Sequence, residues 1–444
     1  MTCIERPRFS CVLGGALATI NALPKVIPII HAAQGCGGNL FTAAYAGSGY
    51  HGSGYCGGQS MPSSNVTEQD IIFGGAERLE EEIKNTFELI NAENFIVVTG
   101  CMTEIIADDV AGVVRNFQND NHSIFFVETG GFKGNSYDGY EKIMSGLFGH
   151  LADFSNKKDE TLVNILGIIP AYDPFFRGDL EEIKRILTKL GLRVNTFFTP
   201  DQTISNIKSA GSAALNLVFS RSYGVDLAEK IKNESGVPFF IADLPIGALA
   251  AEKFLKQLAE YITIPEKTLN AVLEEENSIY YSYVDKIIDI YADMDFRQNA
   301  VIVSNSNGAV PFSRFVYHEL GWNPEYVYVT DSLSGIKEKR ITEAFDAAGI
   351  PDASLVFETG TAAIKKSFFT ALPQFCPEKY FDGFSPAYIL GSSLEKDFAV
   401  SLQAALLTIS FPILNRLIAD KSYAGWRGGL HLIEDIASSL LQNR

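Results

Sequence analysis

The chain has 444 residues, of which 46% are hydrophobic and 20% charged, and its formal net charge is −17. This ordinary globular composition excludes collagen-like, coiled-coil and intrinsically disordered classes, and the length predicts two or three domains, each with its own core. Because a phosphate backbone is bound by clustered positive charge, the acidic balance argues against a nucleic-acid partner.

The N-terminal region shows no secretion signal and no membrane span. Met1 to Arg8 lacks an apolar core followed by a cleavage site, and the longest apolar stretch, Cys11 to Ala33, is interrupted by prolines, a lysine and a histidine. The six cysteines are therefore expected to be reduced thiols rather than a disulfide framework. We expect a cytoplasmic protein that makes no membrane contact.

Short β-branched runs alternate with helical patterns through most of the chain. In chain order, strands are predicted at 95–99, 123–127, 162–169, 193–198, 213–219, 300–304 and 387–390, and helices at 179–190, 225–233 and 312–320. The first of these helices is predicted to begin at a capping Asp179 and to stop at Gly191. A charge-rich helical stretch from Ala248 to Ile290 is predicted to split at Pro265.

Continuous apolar strands between helices are typical of parallel sheets that are covered on both faces. The sequence thus predicts an α/β fold of three Rossmann-like domains with parallel sheets flanked by helices. The predicted domains are residues 1–160, which carry the candidate cysteines, residues 161–290, which end in a helical bridge, and residues 291–444.

A glycine-rich near-repeat, Gly47-Ser-Gly-Tyr-His followed by Gly52-Ser-Gly-Tyr-Cys, twice matches the dinucleotide spacing GxGxxG. That fingerprint needs a strand before it and a helix directly after it, and neither is predicted here. No GxxxxGK[ST] phosphate loop occurs in the chain, so ATP hydrolysis by this chain is not expected. A binding protein with a Rossmann-type ligand cleft remains an open interpretation.

Three cysteines, Cys11, Cys36 and Cys101, lie at the edges of apolar segments beside glycines. Cys101 directly follows a predicted strand, where open α/β sheets bind ligands. Thiolates in glycine-rich turns suit an iron–sulfur cluster, although a lone buried cysteine is more often a small hydrophobic residue. The spacing is not a compact ferredoxin run, so spacing alone leaves both interpretations open.

Several longer motifs resemble component 1 of nitrogenase, specifically its β-type (K) subunit. Val66 to Gly75 resembles the family's TE-x(4)-FGG segment, His31 to Cys36 its HGSQGC turn, and Thr99 to Asp109 its TTCMAEVIGDD segment. The resemblance continues in the same order along the chain through Gly167 to Asp173, Leu244 to Gly247 and Ile409 to Arg416.

The resemblance implies that Cys11, Cys36 and Cys101 hold half of a P-cluster-type iron–sulfur centre, 8Fe-7S or else 4Fe-4S, at an interface with an α-type subunit. The implied role is electron relay from an ATP-dependent iron protein, docked transiently through complementary charge, to a catalytic cofactor in the α-type partner. The implied assembly is an α2β2 heterotetramer, and a homodimer is the second-ranked alternative. No catalytic residue of this chain is implied, and the substrate stays open.

The chain departs from the family pattern at three places. Gly131 stands where the best-studied β chains carry a serine that ligates the oxidised P-cluster, so serine-gated redox behaviour is not expected. Cys11 lies almost at the start, as in the shorter vanadium, iron-only and nitrogenase-like chains. Ser220 stands where an α chain carries a cofactor cysteine, and His431 is interpreted as structural, so we expect no substrate-reducing cofactor in this chain.

For the remaining candidate residues, a structural role is the favoured interpretation and a functional role is the alternative. Cys56 is expected to be a small loop residue, with cluster contact as the alternative, and Cys3 and Cys376 receive no role. His31 is expected to satisfy backbone groups near Cys36, with support of a metal ligand as the alternative. Four acidic residues are expected to cap helices or to lie in their first turns: Glu68, Asp70, Asp108 and Asp109. The alternative for these residues is a buried, paired carboxylate.

A second function class is also open on the sequence. Assembly scaffolds for the nitrogenase cofactor resemble β subunits but build a cofactor rather than turn over substrate. Such scaffolds often lack one or more of the three cysteine positions or carry shifted ligands, and all three cysteines are present here, which favours the oxidoreductase subunit.

Overall fold

Three parallel sheets, each covered by helices, make up the computed structural model, which describes residues 8–49, 61–120, 122–155, 157–293, 296–371 and 387–442. The strand orders are β1-β2-β3, β5-β4-β6-β7 and β10-β9-β8-β11-β12, and every strand pair is parallel. The α/β class is therefore confirmed. None of the helices in these ranges is long and apolar enough to cross a membrane.

The strands are short and largely buried, as expected for parallel sheets. Their bounds are β1 Val26–His31, β2 Asn94–Thr99, β3 Ile124–Val127, β4 Asp159–Leu166, β5 Arg193–Asn195, β6 Ala213–Val218, β7 Phe239–Ile241, β8 Asn299–Ser304, β9 Asn323–Val329, β10 Ser354–Phe357, β11 Tyr388–Gly391 and β12 Ala405–Thr408.

The helices connect these strands and cover the sheets. Their bounds are α1 Val12–Ala22, α2 Cys36–Gly47, α3 Glu68–Phe73, α4 Ala76–Leu89, α5 Cys101–Ile105, α6 Val110–Asn119, α7 Ser136–Leu151, α8 Phe176–Lys189, α9 Ile204–Ser209, α10 Val225–Ser235, α11 Gly247–Leu258, α12 Glu266–Asp293, α13 Ser306–His318, α14 Gly335–Ala347, α15 Thr361–Ala371, α16 Lys396–Leu402 and α17 Gly425–Gln442.

The first sheet determines where two of the candidate cysteines lie. Strands β1 and β2 pair in parallel so that His31 is opposite Thr99, and both strands therefore end at the same edge of the sheet. The segments that follow carry Cys36 and Cys101, and the Gly100 N–H donates to the His31 carbonyl oxygen across 2.9 Å. Sequence-distant cysteines are thereby brought to one edge.

Helices α1 and α7 cross at direct backbone contact, and this crossing places the third cysteine. A Cβ at Gly15 would lie 1.8 Å from the Ser136 carbonyl oxygen, and one at Gly139 would lie 2.3 Å from the Val12 carbonyl oxygen. Only glycine allows so close an approach. Cys11, immediately before α1, forms an isolated antiparallel bridge with Asn135 immediately before α7.

Most strands predicted from the sequence are confirmed within a few residues, and the helical stretch at 248–290 is divided into α11 and α12 on either side of Pro265. The prediction that Asp179 caps its helix is wrong, because α8 begins at Phe176. Asp179 is buried and its Oδ1 accepts hydrogen bonds from the backbone N–H groups of Tyr423 and Ala424. Burial raises the pKa of Asp179 to about 7.

The proposed domain ranges stay a proposal. One sheet falls in each range, except that β4 begins at Asp159, two residues before the second range begins. The glycine-rich near-repeat lies mostly outside the described residues. The segment before its first glycine is helix α2 rather than a strand, which removes the context that a dinucleotide fingerprint needs.

Candidate metal centre

The three candidate cysteines share one local feature, since each lies at the N-terminal end of a helix. Cys11 directly precedes α1, Cys36 is the first residue of α2, and Cys101 is the first residue of α5. The free N–H groups at such ends favour negative charge, and thiolates are stabilised there. The local fold thus suits three anionic sulfur ligands.

The structure brings the three thiols together. Burial raises the pKa of the Cys36 thiol, and charge on Cys11 and then on Cys101 raises it further, which requires both thiols to lie near Cys36. Cys11 and Cys36 are partly buried, whereas Cys101 is exposed. The sulfur-bearing side chains therefore form one group that opens to the surface on the Cys101 side.

Gly131 lies between two of these sulfur atoms. A Cβ at this position would lie 3.0 Å from Cys101 Sγ and 3.6 Å from Cys11 Sγ. The Gly131 N–H donates a hydrogen bond to Cys101 Sγ across 3.1 Å. The residue that the sequence places at the family's serine position is thus in direct contact with the thiols, and it contributes a backbone donor in place of a side chain.

Within the described ranges, no group of three or more histidine, cysteine or acidic side chains is arranged to hold a single metal ion. Thiolates on one zinc ion lie about 3.8 Å apart, given metal–sulfur bonds of about 2.3 Å in tetrahedral geometry. Cluster ligands are bonded to different iron atoms and are spaced more widely. Three thiols without histidine or carboxylate are a donor set that suits an iron–sulfur cluster.

Large apolar side chains are exposed on α5, which begins at Cys101, on the turn that holds Gly131, and on α3. Ile105 on α5 is 66% exposed, and Phe132, next to Gly131, is 61% exposed. On the short helix α3, Ile72 and Phe73 are 72% and 86% exposed. Exposed apolar residues of this size around a functional site are typical of a surface that another chain covers.

His31 makes structural hydrogen bonds: its carbonyl oxygen accepts from the Gly100 N–H and the Thr103 hydroxyl, whereas its ring contacts side chains rather than the backbone groups expected from the sequence. Its ring is fully buried, with Nδ1 2.9 Å from Ser64 Oγ and Nε2 3.0 Å from Asp108 Oδ2. Burial lowers the pKa of His31, although the contact with Asp108 opposes that effect. Both ring nitrogens are occupied, so His31 supports the sheet edge from behind.

The four acids singled out in the sequence have different positions. Asp109 caps α6 by accepting from the Gly112 N–H, and Asp70 closes the capping box of α3 with Thr67. Glu68 is in the first turn of α3. Asp108 is not a cap: its Oδ1 accepts from the Gly75 N–H across 2.8 Å while Oδ2 contacts His31.

The remaining candidates do not join the thiol group. Ser220 is buried and its Oγ accepts from the Ser222 and Tyr223 N–H groups in a turn. His431 Nδ1 lies 3.1 Å from the Ser422 carbonyl oxygen. Three cysteines lie outside the described residues: Cys3, Cys56 and Cys376.

Sequence reasoning did not identify Glu104 and Lys133, which lie beside the thiols. Glu104 Oε1 accepts from the Gly130 N–H across 2.6 Å, and Lys133 Nζ lies 2.7 Å from Glu104 Oε2. The only sequence signal was an acidic residue three positions after Cys101, which reads equally well as a first-turn helical acid. Its partner lies about thirty residues away in sequence, so no local pattern connects them.

Substituting Gly131 tests whether the thiols must approach this closely. Gly131 does not have a left-handed backbone, so the effect of Gly131→Ala is steric, against Cys101 Sγ at 3.0 Å and Cys11 Cβ at 3.2 Å. We expect the variant to retain less iron than the wild type during a chelator challenge, because overpacking costs about 1–3 kcal/mol. The matched control is Gly38→Ala, where a Cβ meets nothing within 4 Å and retention should not change.

Comparison with known proteins gives a family for the whole chain. A family model described as nitrogenase component 1 type oxidoreductase matches residues 11–441. The molybdenum–iron protein beta chain of Clostridium pasteurianum is 24% identical, over 98% of this chain and 93% of that one. The cofactor biosynthesis protein NifE of Methanococcus maripaludis is 25% identical, over 66% of this chain and 59% of that one.

Among solved structures, one described as nitrogenase Cp1 at pH 6.5 superposes with a TM-score of 0.78. The match covers all of this chain and 94% of the other at 20% identity. The expected fold is confirmed by this likeness.

Proposed function

Because the chain belongs to the family of nitrogenase component 1 type oxidoreductases, we propose that it is the β-type subunit of a nitrogenase or nitrogenase-like reductase. In this proposal Cys11, Cys36 and Cys101 hold half of an interfacial P-cluster-type iron–sulfur centre. Electrons pass from an ATP-dependent iron protein to a catalytic cofactor in the α-type partner. The observation that carries the proposal is the position of Cys101 and Cys11 on either side of Gly131, with Cys36 near enough for both thiols to raise its pKa.

The donor set supports an electron-transfer role. A bound iron–sulfur cluster supplies one-electron redox chemistry, and thiolates suit it because they delocalise charge. The chain contributes three thiolates at helix N-termini, a backbone N–H on Cys101 Sγ, and a buried sheet edge that fixes the positions of Cys36 and Cys101. Hydrogen bonding and burial of this kind set the potential of such centres.

The exposed side of the thiol group supports a partner subunit. Three thiolates do not complete the ligation of a four-iron cubane, so a further ligand comes from elsewhere. Cys101 is exposed, and the apolar side chains of Ile105 and Phe132 are exposed beside it. An α-type chain that covers this face would supply the missing ligand and bury the apolar side chains.

Native mass measurement of the anaerobically purified protein, with and without the neighbouring component 1 gene product, tests the assembly. We expect an α2β2 complex that carries clusters when both chains are expressed, and docking of the iron protein that weakens with salt. A monomer under both conditions that nevertheless carries a fully ligated cluster would contradict the proposal. A homodimer with clusters would mean that two copies of the three cysteines complete the site.

A cofactor assembly scaffold is the second candidate, favoured by the similarity to NifE. The two functions differ in what happens to metal after purification. A scaffold transfers cofactor to a cofactor-free component 1 protein on mixing, whereas a component 1 subunit keeps its cluster and turns over electrons with an iron protein. We expect the second outcome; activation of the recipient without electron turnover by this complex would favour the scaffold.

A further inference from the structure

Glu104 links the helix that begins at Cys101 to the turn that holds Gly131. Its Oε1 accepts from the Gly130 N–H across 2.6 Å and also from the Thr99 hydroxyl. Lys133 Nζ, on the far side of the same turn, lies 2.7 Å from Glu104 Oε2. The carboxylate is only 9% exposed, so these contacts form in a largely dry site.

The turn is also held by its preceding residue. The Thr129 hydroxyl donates to the Thr99 carbonyl oxygen across 2.7 Å, and the Thr129 N–H donates to Thr99 Oγ1 across 3.0 Å. Residues on both sides of the Gly130–Gly131 peptide are therefore bound to the strand end and helix that present Cys101. These contacts hold the turn so that the Gly131 N–H donates a hydrogen bond to Cys101 Sγ across 3.1 Å.

The charge state of Glu104 agrees with this role. Burial alone would raise the pKa of Glu104, but hydrogen bonds from Lys133, Thr99 and Gly130 lower it below its usual value. The carboxylate is thus ionised at neutral pH and is balanced by Lys133. Lys133 also binds Glu128, so Glu104 and Lys133 are not an isolated neutral pair, and the effect of Glu104 that the contacts show is geometric, through the Gly130 N–H.

We propose that Glu104 is a positioning residue that directs the Gly131 N–H onto Cys101 Sγ and thereby raises the reduction potential of the cluster. This rests on the proposed function. Reduction adds negative charge, and a hydrogen bond to a ligand sulfur stabilises the reduced state more than the oxidised state.

Three variants separate positioning from general stability. Glu104→Ala removes the acceptor for the Gly130 N–H. Glu104→Gln keeps an acceptor oxygen for that N–H and serves as the conservative rescue. Glu128→Gln is the matched control, because Glu128 also binds Lys133 but is exposed and does not contact the turn backbone in the described structure.

The measurements are the reduction potential of the iron–sulfur centre and hydrogen exchange over residues 129–134, both on the complex purified with its partner. In Glu104→Ala we expect a lower potential and exchange faster by about 2- to 10-fold, as expected for loss of one hydrogen bond of about 0.5–1.5 kcal/mol. In Glu104→Gln and Glu128→Gln we expect both quantities to match the wild type.

Wild-type potential and exchange in Glu104→Ala would overturn the proposal, as would an equal change in Glu128→Gln. An iron-free wild-type complex would instead contradict the proposed function. Should Glu104→Ala not load iron, the exchange rate over residues 129–134 still decides whether Glu104 holds the turn.

Discussion

Alanine at Cys36 or Cys101 is expected to remove iron and acid-labile sulfide together from the protein purified anaerobically with its partner. Cys101 lies with Cys11 beside Gly131, and Cys36 is near enough for both thiols to raise its pKa. In the proposal each thiol holds the cluster, so removal of one ligand would weaken both cluster binding and the fold that a bound cluster stabilises. We expect almost complete loss of bound iron and a lower melting temperature, measured by metal analysis, sulfide assay and thermal unfolding.

The control for this experiment is a cysteine that the proposal leaves out of the site. Cys376→Ala should keep wild-type iron and sulfide, because the family resemblance assigns no role to Cys376. Cys56→Ala tests the alternative that the glycine-rich loop contacts the cluster. Wild-type iron content in Cys101→Ala would show that the thiols described above are not the ligands.

The crossing of α1 and α7 predicts the second large effect. A Cβ at Gly139 would lie 2.3 Å from the Val12 carbonyl oxygen and 2.6 Å from the Ala16 nitrogen. Both are backbone atoms of α1, so the helices must separate to admit a methyl group. We expect Gly139→Ala to lower the free energy of unfolding by about 3 kcal/mol, the upper part of the usual overpacking range. Chemical denaturation measures this change.

Helix α7 contains its own matched control. A Cβ at Gly149 meets nothing within 4 Å, so Gly149→Ala should leave the crossing intact. Replacing an exposed helical glycine with alanine should stabilise the protein by about 0.5–1 kcal/mol. Equal destabilisation by Gly139→Ala and Gly149→Ala would contradict the description of this crossing. Because the crossing places Cys11, Gly139→Ala should also reduce iron retention.

The strands that the sequence predicts best are those with continuous β-branched or aromatic runs, such as β2 and β8. In the sequence, the stretch from Cys11 to Ala33 shows only that it is apolar and interrupted by polar residues and prolines. In the structure Lys25 adopts a left-handed backbone between α1 and β1, which divides the stretch into a helix and a strand. The periodicity of such short apolar segments does not distinguish these structures.

The candidate site could be predicted to the level of its ligands but not of their surroundings. The cysteines were identified from glycine-rich turns and from motif resemblance. The contacts of Glu104 with Gly130 and Lys133, and the pairing of His31 with Asp108, join residues far apart in sequence. They depend on the parallel register of β1 and β2 and on the turn after β3, which no single segment encodes.

Iron and acid-labile sulfide in the wild-type complex, purified anaerobically after co-expression with its partner and the cluster machinery, test the central claim most directly. The three thiols predict iron and sulfide in about equal amounts, together with a redox-active signal that is lost in Cys101→Ala. A fully folded, colourless and iron-free complex obtained under these conditions would contradict it.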